Sequence, residues 1–178
     1  WMAQNLKVLH YSDGSEITLI ESISEWGDFD ETKKAYCLYD NSSSNFETYG
    51  VLYSWPAVMD GALSSDLNPS EVQGICPDGW HLPSEAEWWE LTYYLGSNAG
   101  GKLKEAGTAH WLSPNTDATN ESGFTALPGA HRSIYWWDNF VGIEGYGHWW
   151  NATEFSSAKA YAWRLFYNGG HTFTNDNY

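Results

Sequence analysis

The chain has 178 residues, enough for one domain with a sizeable core, and its formal net charge of −15 with only eight Lys and Arg is strongly acidic. That charge argues against nucleic acid and anionic membrane as partners, because both need a basic footprint. No run of about 18 apolar residues supplies a membrane span.

Twelve Trp and twelve Tyr stand out. Each ring brings a large apolar body with a polar N–H or O–H that needs a partner when buried, so the rings either build the core or are displayed for stacking on a ligand. The chain starts at Trp1 without a secretory leader and is expected to be a trimmed segment of a longer exported protein. The two cysteines, Cys37 and Cys76, lean the same way. A Cys37–Cys76 disulfide would close a loop of about 40 residues and add about 4 kcal/mol, the alternative being two unrelated buried thiols.

Leu6, Val8 and His10 alternate, Ser12-Asp13-Gly14 turns, and Ile17–Ile20 returns, so the first twenty residues predict two short strands. Residues 35–39 predict a third strand, and the Asn/Ser run at 41–45 a loop. Residues 48–60 space Val51, Leu52, Trp55, Val58 and Met59 as a helix does, with Pro56 forcing either a start near Ser54 or a bend.

The densest stretch is CPDGWHLPSEAEWW, 76–89, where Cys76, Asp78, His81, Glu85 and Glu87 suggest chemistry. Ser84 followed by Glu87 is instead a capping box, with Glu85 and Glu87 at the positive end of the helix dipole. Trp88, Leu91 and Leu95 then share one face, and Gly96 stops the helix. These carboxylates therefore have a structural role, and His81, before Leu82-Pro83, reads as a hydrogen-bonding or core residue. Beyond them, 102–106 gives a short helical signal, 124–132 a strand with a turn, and 133–153 no regular pattern. Tyr161, Trp163, Leu165 and Tyr167 alternate before Asn168-Gly169-Gly170 and predict a hairpin over 158–174.

Several segments together resemble one family. WMAQNL (1–6), YGVLYSWPAVMD (49–60), GICPDGWHLPSEAEWWEL (74–91), GKLKEAG (101–107), SGFTALPGAHR (122–132) and HWWNATE (148–154) occur in the order of the Fibrobacter succinogenes major paralogous domain. That family is abundant in exported proteins of Fibrobacter and Bacteroidota. HLPSEAEW also resembles a segment of formylglycine-generating enzymes. The resemblance implies one α+β, C-type-lectin-like domain over 1–178. Small mixed and antiparallel sheets, two main helices (about 50–60 and 84–95) and long irregular loops are expected. It also implies a closing strand that is lacking after Asn175-Asp176-Asn177-Tyr178, where the family's second cysteine would often pair with Cys76. No Cys follows Cys76, so the likeness to the formylglycine-generating enzymes implies fold and not catalysis.

No catalytic triad, metalloprotease motif, phosphate loop or Cys/His ladder is present in the sequence, and the chain is expected not to be an enzyme. YWWDNF (135–140) and YGHWWN (146–151) place Trp pairs beside polar groups of the kind a sugar site uses. The candidate ligand residues are Tyr135, Trp137, Asp138, Asn139, Tyr146, His148, Trp149 and Asn151, with Trp136 and Trp150 assigned mainly to the core. No cofactor is expected beyond calcium, for which Asp13, Asp28, Asp30 and Asp138 are undistinguished candidates. Asn41, Asn120 and Asn151 head N-x-S/T sequons that would be exposed if glycosylated. The expected role is an exported, extracellular or cell-surface module that binds carbohydrate or another surface ligand in adhesion. The alternative is a filament subunit that self-assembles by strand addition at an open sheet edge.

Overall fold

The computed structural model describes residues 1–27, 32–133, 140–156 and 159–175. Among the described residues, three small sheets are spread along the chain. The first joins β1 (Thr18–Leu19), β2 (Ala35–Cys37) and β3 (Leu52–Tyr53), with β1 parallel and β3 antiparallel to the central β2. The second pairs β4 (His131–Arg132) with β5 (Phe140–Val141). The third is an antiparallel meander of β6 (Tyr146–Ser156), β7 (Lys159–Phe166) and β8 (Phe173–Asn175). The α-helices among the described residues are α1 (Ile23–Gly27), α2 (Ser43–Tyr49), α3 (Trp55–Met59), α4 (Glu85–Leu95) and α5 (Ala99–Leu103). The class is mixed α+β with small sheets, as expected.

Local chemistry explains most element boundaries. Ser84 Oγ accepts from the Glu87 N–H at 3.2 Å, and Glu87 Oε2 accepts from the Ser84 N–H at 2.9 Å, which closes the predicted capping box. The helix expected over about 50–60 is shorter. Ser54 caps α3 through the Ala57 N–H at 3.3 Å, Pro56 sits in its first turn, and the preceding residues extend as β3. The predicted helix near 102–106 shifts upstream to α5, because Lys104 turns into an extended bridge with Ala126. Several elements were unforeseen: α1 had no sequence signal, α2 lies where the Ser/Asn run suggested a loop, and β5 and the 11-residue β6 lie where no pattern was visible.

The long stretch 61–83 is ordered by polar ties rather than by regular structure. Ser70, buried, donates its hydroxyl to the Leu82 carbonyl at 2.5 Å and accepts from the Val72 N–H at 3.2 Å. Ile75 N–H donates to the Val58 carbonyl at 2.9 Å. Gly74 makes that approach feasible, since its φ is +51° and a Cβ there would collide with the Val58 carbonyl.

The core is divided into three clusters. One gathers Tyr11, Ile17, Val58, Met59, Ile75 and Leu82 under the first sheet and α3. A second holds Ile20, Trp26, Ala35, Cys37 and Phe140. The third packs Leu103, Trp111, Ala126 and Leu165 beneath α4 and α5. The expected disulfide is corrected here: Cys37 and Cys76 are both free, and they lie in different clusters. Burial pushes each thiol up to about 11, so both act as small apolar core residues.

Lys104 closes the third cluster. It is fully buried, and its Nζ donates to the carbonyls of Thr116 and Phe166 at 2.9 Å and of Gly169 at 3.0 Å, above the Trp111 ring. Loss of hydration pushes its pKa down to about 8. The ammonium thus ties the α5 exit to the β7–β8 turn. Replacing Lys104 by Met keeps the apolar volume but strands three carbonyls, so urea unfolding of the variant should show a loss of about 3 kcal/mol.

Candidate functional site

The N-terminal turn of α4 is bolted to β6. Glu85 N–H donates to Thr153 Oγ1 at 3.0 Å, and that hydroxyl donates to the Ser65 carbonyl at 2.7 Å. Glu85 Oε2 accepts from Asn151 Nδ2 at 2.7 Å and from Trp163 Nε1 at 2.8 Å. Burial raises the pKa of Glu85, and the bonds from Trp163, Trp89 and Asn151 oppose that rise. Glu87 is engaged on both oxygens: Oε1 faces His81 Nε2 at 2.7 Å, and Oε2 takes the N–H groups of Ser84 and Ser70. Burial alone would raise the pKa of Glu87, but these donors outweigh it and hold the carboxyl below its ordinary range.

Beside this corner runs a cleft of about 810 Å³. Its walls come from the N-terminal segment, the start of α3, the 79–83 corner, α4, β4 and β6, with Trp1, Trp80, His81, Trp88, Phe124 and Trp149 among the lining residues. Trp1 and Trp80 are 51% and 45% exposed, so indole surface reaches solvent at this cleft. Aromatic contacts are continuous through it: Trp88 stacks on Trp163 at 5.4 Å and 13°, Trp1 lies 4.7 Å from Trp88, and Phe124 meets Trp149 edge-on at 6.1 Å.

Most of the surrounding indoles are fixed through their N–H groups. Trp55 donates to the Asn151 carbonyl, Trp111 to that of Ala126, Trp150 to that of Tyr53, and Trp149 to Asn5 Oδ1. Trp88 differs: it is 3% exposed, and its Nε1 meets no acceptor among the described residues. An indole N–H left in that state costs about 1–3 kcal/mol.

The sequence-based candidates separate into three groups. Tyr135, Trp137, Asp138 and Asn139 lie outside the described residues, as do Trp136, Asp28 and Asp30. Tyr146 and His148 come together with His131, the two imidazoles 4.9 Å apart and the Tyr146 ring 5.8 Å from His131. His148 and Trp149 line the cleft. Asn151 is corrected: it is fully buried, with its amide on Glu85 and its carbonyl oxygen accepting from the Thr153 N–H, so it holds the scaffold and offers no glycan acceptor.

Of the other two sequons, Asn41 is exposed, while the half-buried Asn120 is tied to Thr125 on both side-chain atoms. Asp13 accepts from Ser15 through both its N–H and its hydroxyl, as in an Asx turn. Among the described residues, no three His, Cys, Asp or Glu side chains are grouped to hold a metal. Sequence reasoning missed Trp1, Trp80 and His131 as cleft residues, because nothing in a linear pattern brings residues 1, 80 and 131 to one wall.

Arg132 shapes one end of the cleft. Its guanidinium lies 4.8 Å from both the Trp26 and Phe140 ring centroids and donates to the carbonyls of Ile20 and Glu21. Nearby, burial first and Arg164 second push His131 down to about 4, and burial, His131 and Arg164 hold His148 well below its ordinary value. The unfolded imidazoles protonate near 6.5, so below that pH the unfolded state binds more protons than the native one. Stability is therefore full above pH 6.5 and falls as the pH drops towards 4. Between pH 7 and pH 4.5, His131→Asn should lose less unfolding free energy than the unsubstituted protein. The expected difference is about 2 kcal/mol after allowance for partial exposure.

No curated protein and no solved structure matches the chain. The family model described as the Fibrobacter succinogenes major domain matches residues 1–177, and the chain belongs to that family.

Proposed function

We propose that the chain is a non-catalytic, exported cell-surface module that binds carbohydrate in the indole-lined cleft, on a C-type-lectin-like fold. The observation that carries this reading is the pairing of half-exposed Trp1 and Trp80 with polar neighbours His81, Gln4 and Asn5 in one cleft of about 810 Å³. A pyranose offers C–H faces to indoles and hydroxyls to such groups, and the volume suits a few sugar units. The acidic chain disfavours polyanionic glycans, so the ligand class is an uncharged polysaccharide. The non-catalytic part of the reading is supported by the chemistry of the two carboxylates at the corner. Both Glu87 oxygens already accept hydrogen bonds, and Glu85 is held by Asn151 and Trp163, so neither carboxylate is presented as a free acid or base. Export is in keeping with where the family abounds.

Tryptophan fluorescence titration tests the reading, using soluble β-glucan, xylan and mucin glycans with and without EDTA. Saturable quenching by a neutral polysaccharide, unchanged by EDTA and weakened about tenfold by Trp80→Ala, is the expected result, tenfold being about 1.4 kcal/mol. A folded protein that gives no saturable response to any of these glycans would overturn it, and turnover of chromogenic glycosides would contradict the non-catalytic part. Fibres by negative-stain microscopy would favour the filament reading instead.

A further inference from the structure

The inference concerns Trp88 and rests on the reading of the cleft as a glycan site. Trp88 projects from the first turns of α4, lines the cleft, and is clamped between Trp163, stacked on it at 5.4 Å, and Trp1, 4.7 Å away. Phe124 closes the same cluster at 5.9 Å. Trp55, Trp111, Trp149, Trp150 and Trp163 all give their N–H to a protein acceptor, whereas the buried Trp88 Nε1 has none among the described residues. Buried donors in native structures are satisfied almost without exception, and an exception in the wall of a cleft points to an acceptor that arrives from outside. The half-exposed Trp1 ring lies 4.7 Å from Trp88 and 6.1 Å from Phe124, tilted against both, and all three rings line the cleft.

We propose that Trp88 Nε1–H is a ligand-binding donor, reserved for a hydroxyl or ring oxygen of an uncharged saccharide, and that Trp1 is its removable cover. On binding, the Trp1 ring leaves Trp88 and packs on the sugar face, and the sugar oxygen accepts from Trp88. Three features support the pair over either residue alone. Trp88 is immobilised by stacking, so the donor is preorganised. Trp1 is half in solvent, so it can move without opening the core. Both rings line the same cleft as Trp80 and His81, which places the donor beside the exposed indole surface.

The test uses the whole chain with ¹⁵N-labelled tryptophan indoles, titrated with laminarihexaose, xylohexaose and mannohexaose, alongside fluorescence affinities. Trp88→Phe removes the N–H together with one ring of the indole, and it assigns the Trp88 signal. Should that variant fold poorly, through-space contacts to the Phe124 ring assign the signal in the unsubstituted protein. The expected result is a downfield shift of the Trp88 indole signal on saturation with one of these oligosaccharides. Trp88→Phe should bind that oligosaccharide about tenfold more weakly while remaining folded. Trp1→Ala should speed exchange of the Trp88 N–H with solvent. If Trp80→Ala weakens binding while the Trp88 signal stays in place and Trp88→Phe binds as the parent does, the donor role is overturned and the glycan reading stands. If none of the three oligosaccharides binds the folded parent, the glycan reading fails and the inference fails with it.

Discussion

The first turn of α4 is the joint on which this fold depends. With only short helices and strands, the chain must satisfy many buried backbone groups by side chains. Ser84, Glu85 and Glu87 do this within four residues. Ser84 and Glu87 close the helix end on itself, Glu87 also holds the loop at Ser70, and Glu85 fixes Asn151 of β6 and Trp163 of β7. A carboxylate with several N–H donors is a strong tie because each bond is charge-assisted. The three elements α4, β6 and β7 are therefore set relative to one another before apolar packing is considered.

The aromatic residues then work on two scales. Through their N–H groups Trp55, Trp149 and Trp150 fasten β6 to distant backbone, to Asn5 and to Tyr53. Through their rings Trp88, Trp163, Phe124 and Trp1 form one aromatic cluster, Trp88 stacked on Trp163 and tilted against Trp1 and Phe124, with Trp1, Trp88 and Phe124 lining the cleft. The same residue type thus supplies both framework and wall, which is why a chain so rich in Trp can be irregular in backbone and still closely packed.

How much of this was legible in the sequence depends on the range of the interaction. The capping box, the Ser54 cap with Pro56 behind it, the strand at 35–37 and the 159–175 hairpin were readable because each is decided by neighbours within a few residues. β6 was not. Its two faces meet different core clusters, Trp150 against one and Trp149 against another, so no two-residue alternation of apolar and polar appears. The α2 helix is built from Ser, Asn and Thr that favour loops locally, and tertiary packing of Phe46 overrides them. The cysteines misled because their number suggested a pair while their places in the fold separate them. At the site, His148 and Trp149 were anticipated, but the opposing wall was not, since Trp1, Trp80 and His131 meet only in three dimensions.

The account divides labour between carboxylates that hold the corner and indoles that meet the ligand. Glu85→Ala separates the two most directly, with urea unfolding and neutral-polysaccharide titration run on the same preparation. The account predicts a loss of about 2–3 kcal/mol in stability, from the vacated Asn151 and Trp163 donors, with affinity of the folded protein unchanged within about twofold. Stability left intact while affinity falls tenfold or more would contradict it, because Glu85 would then be a recognition group and not a fastening.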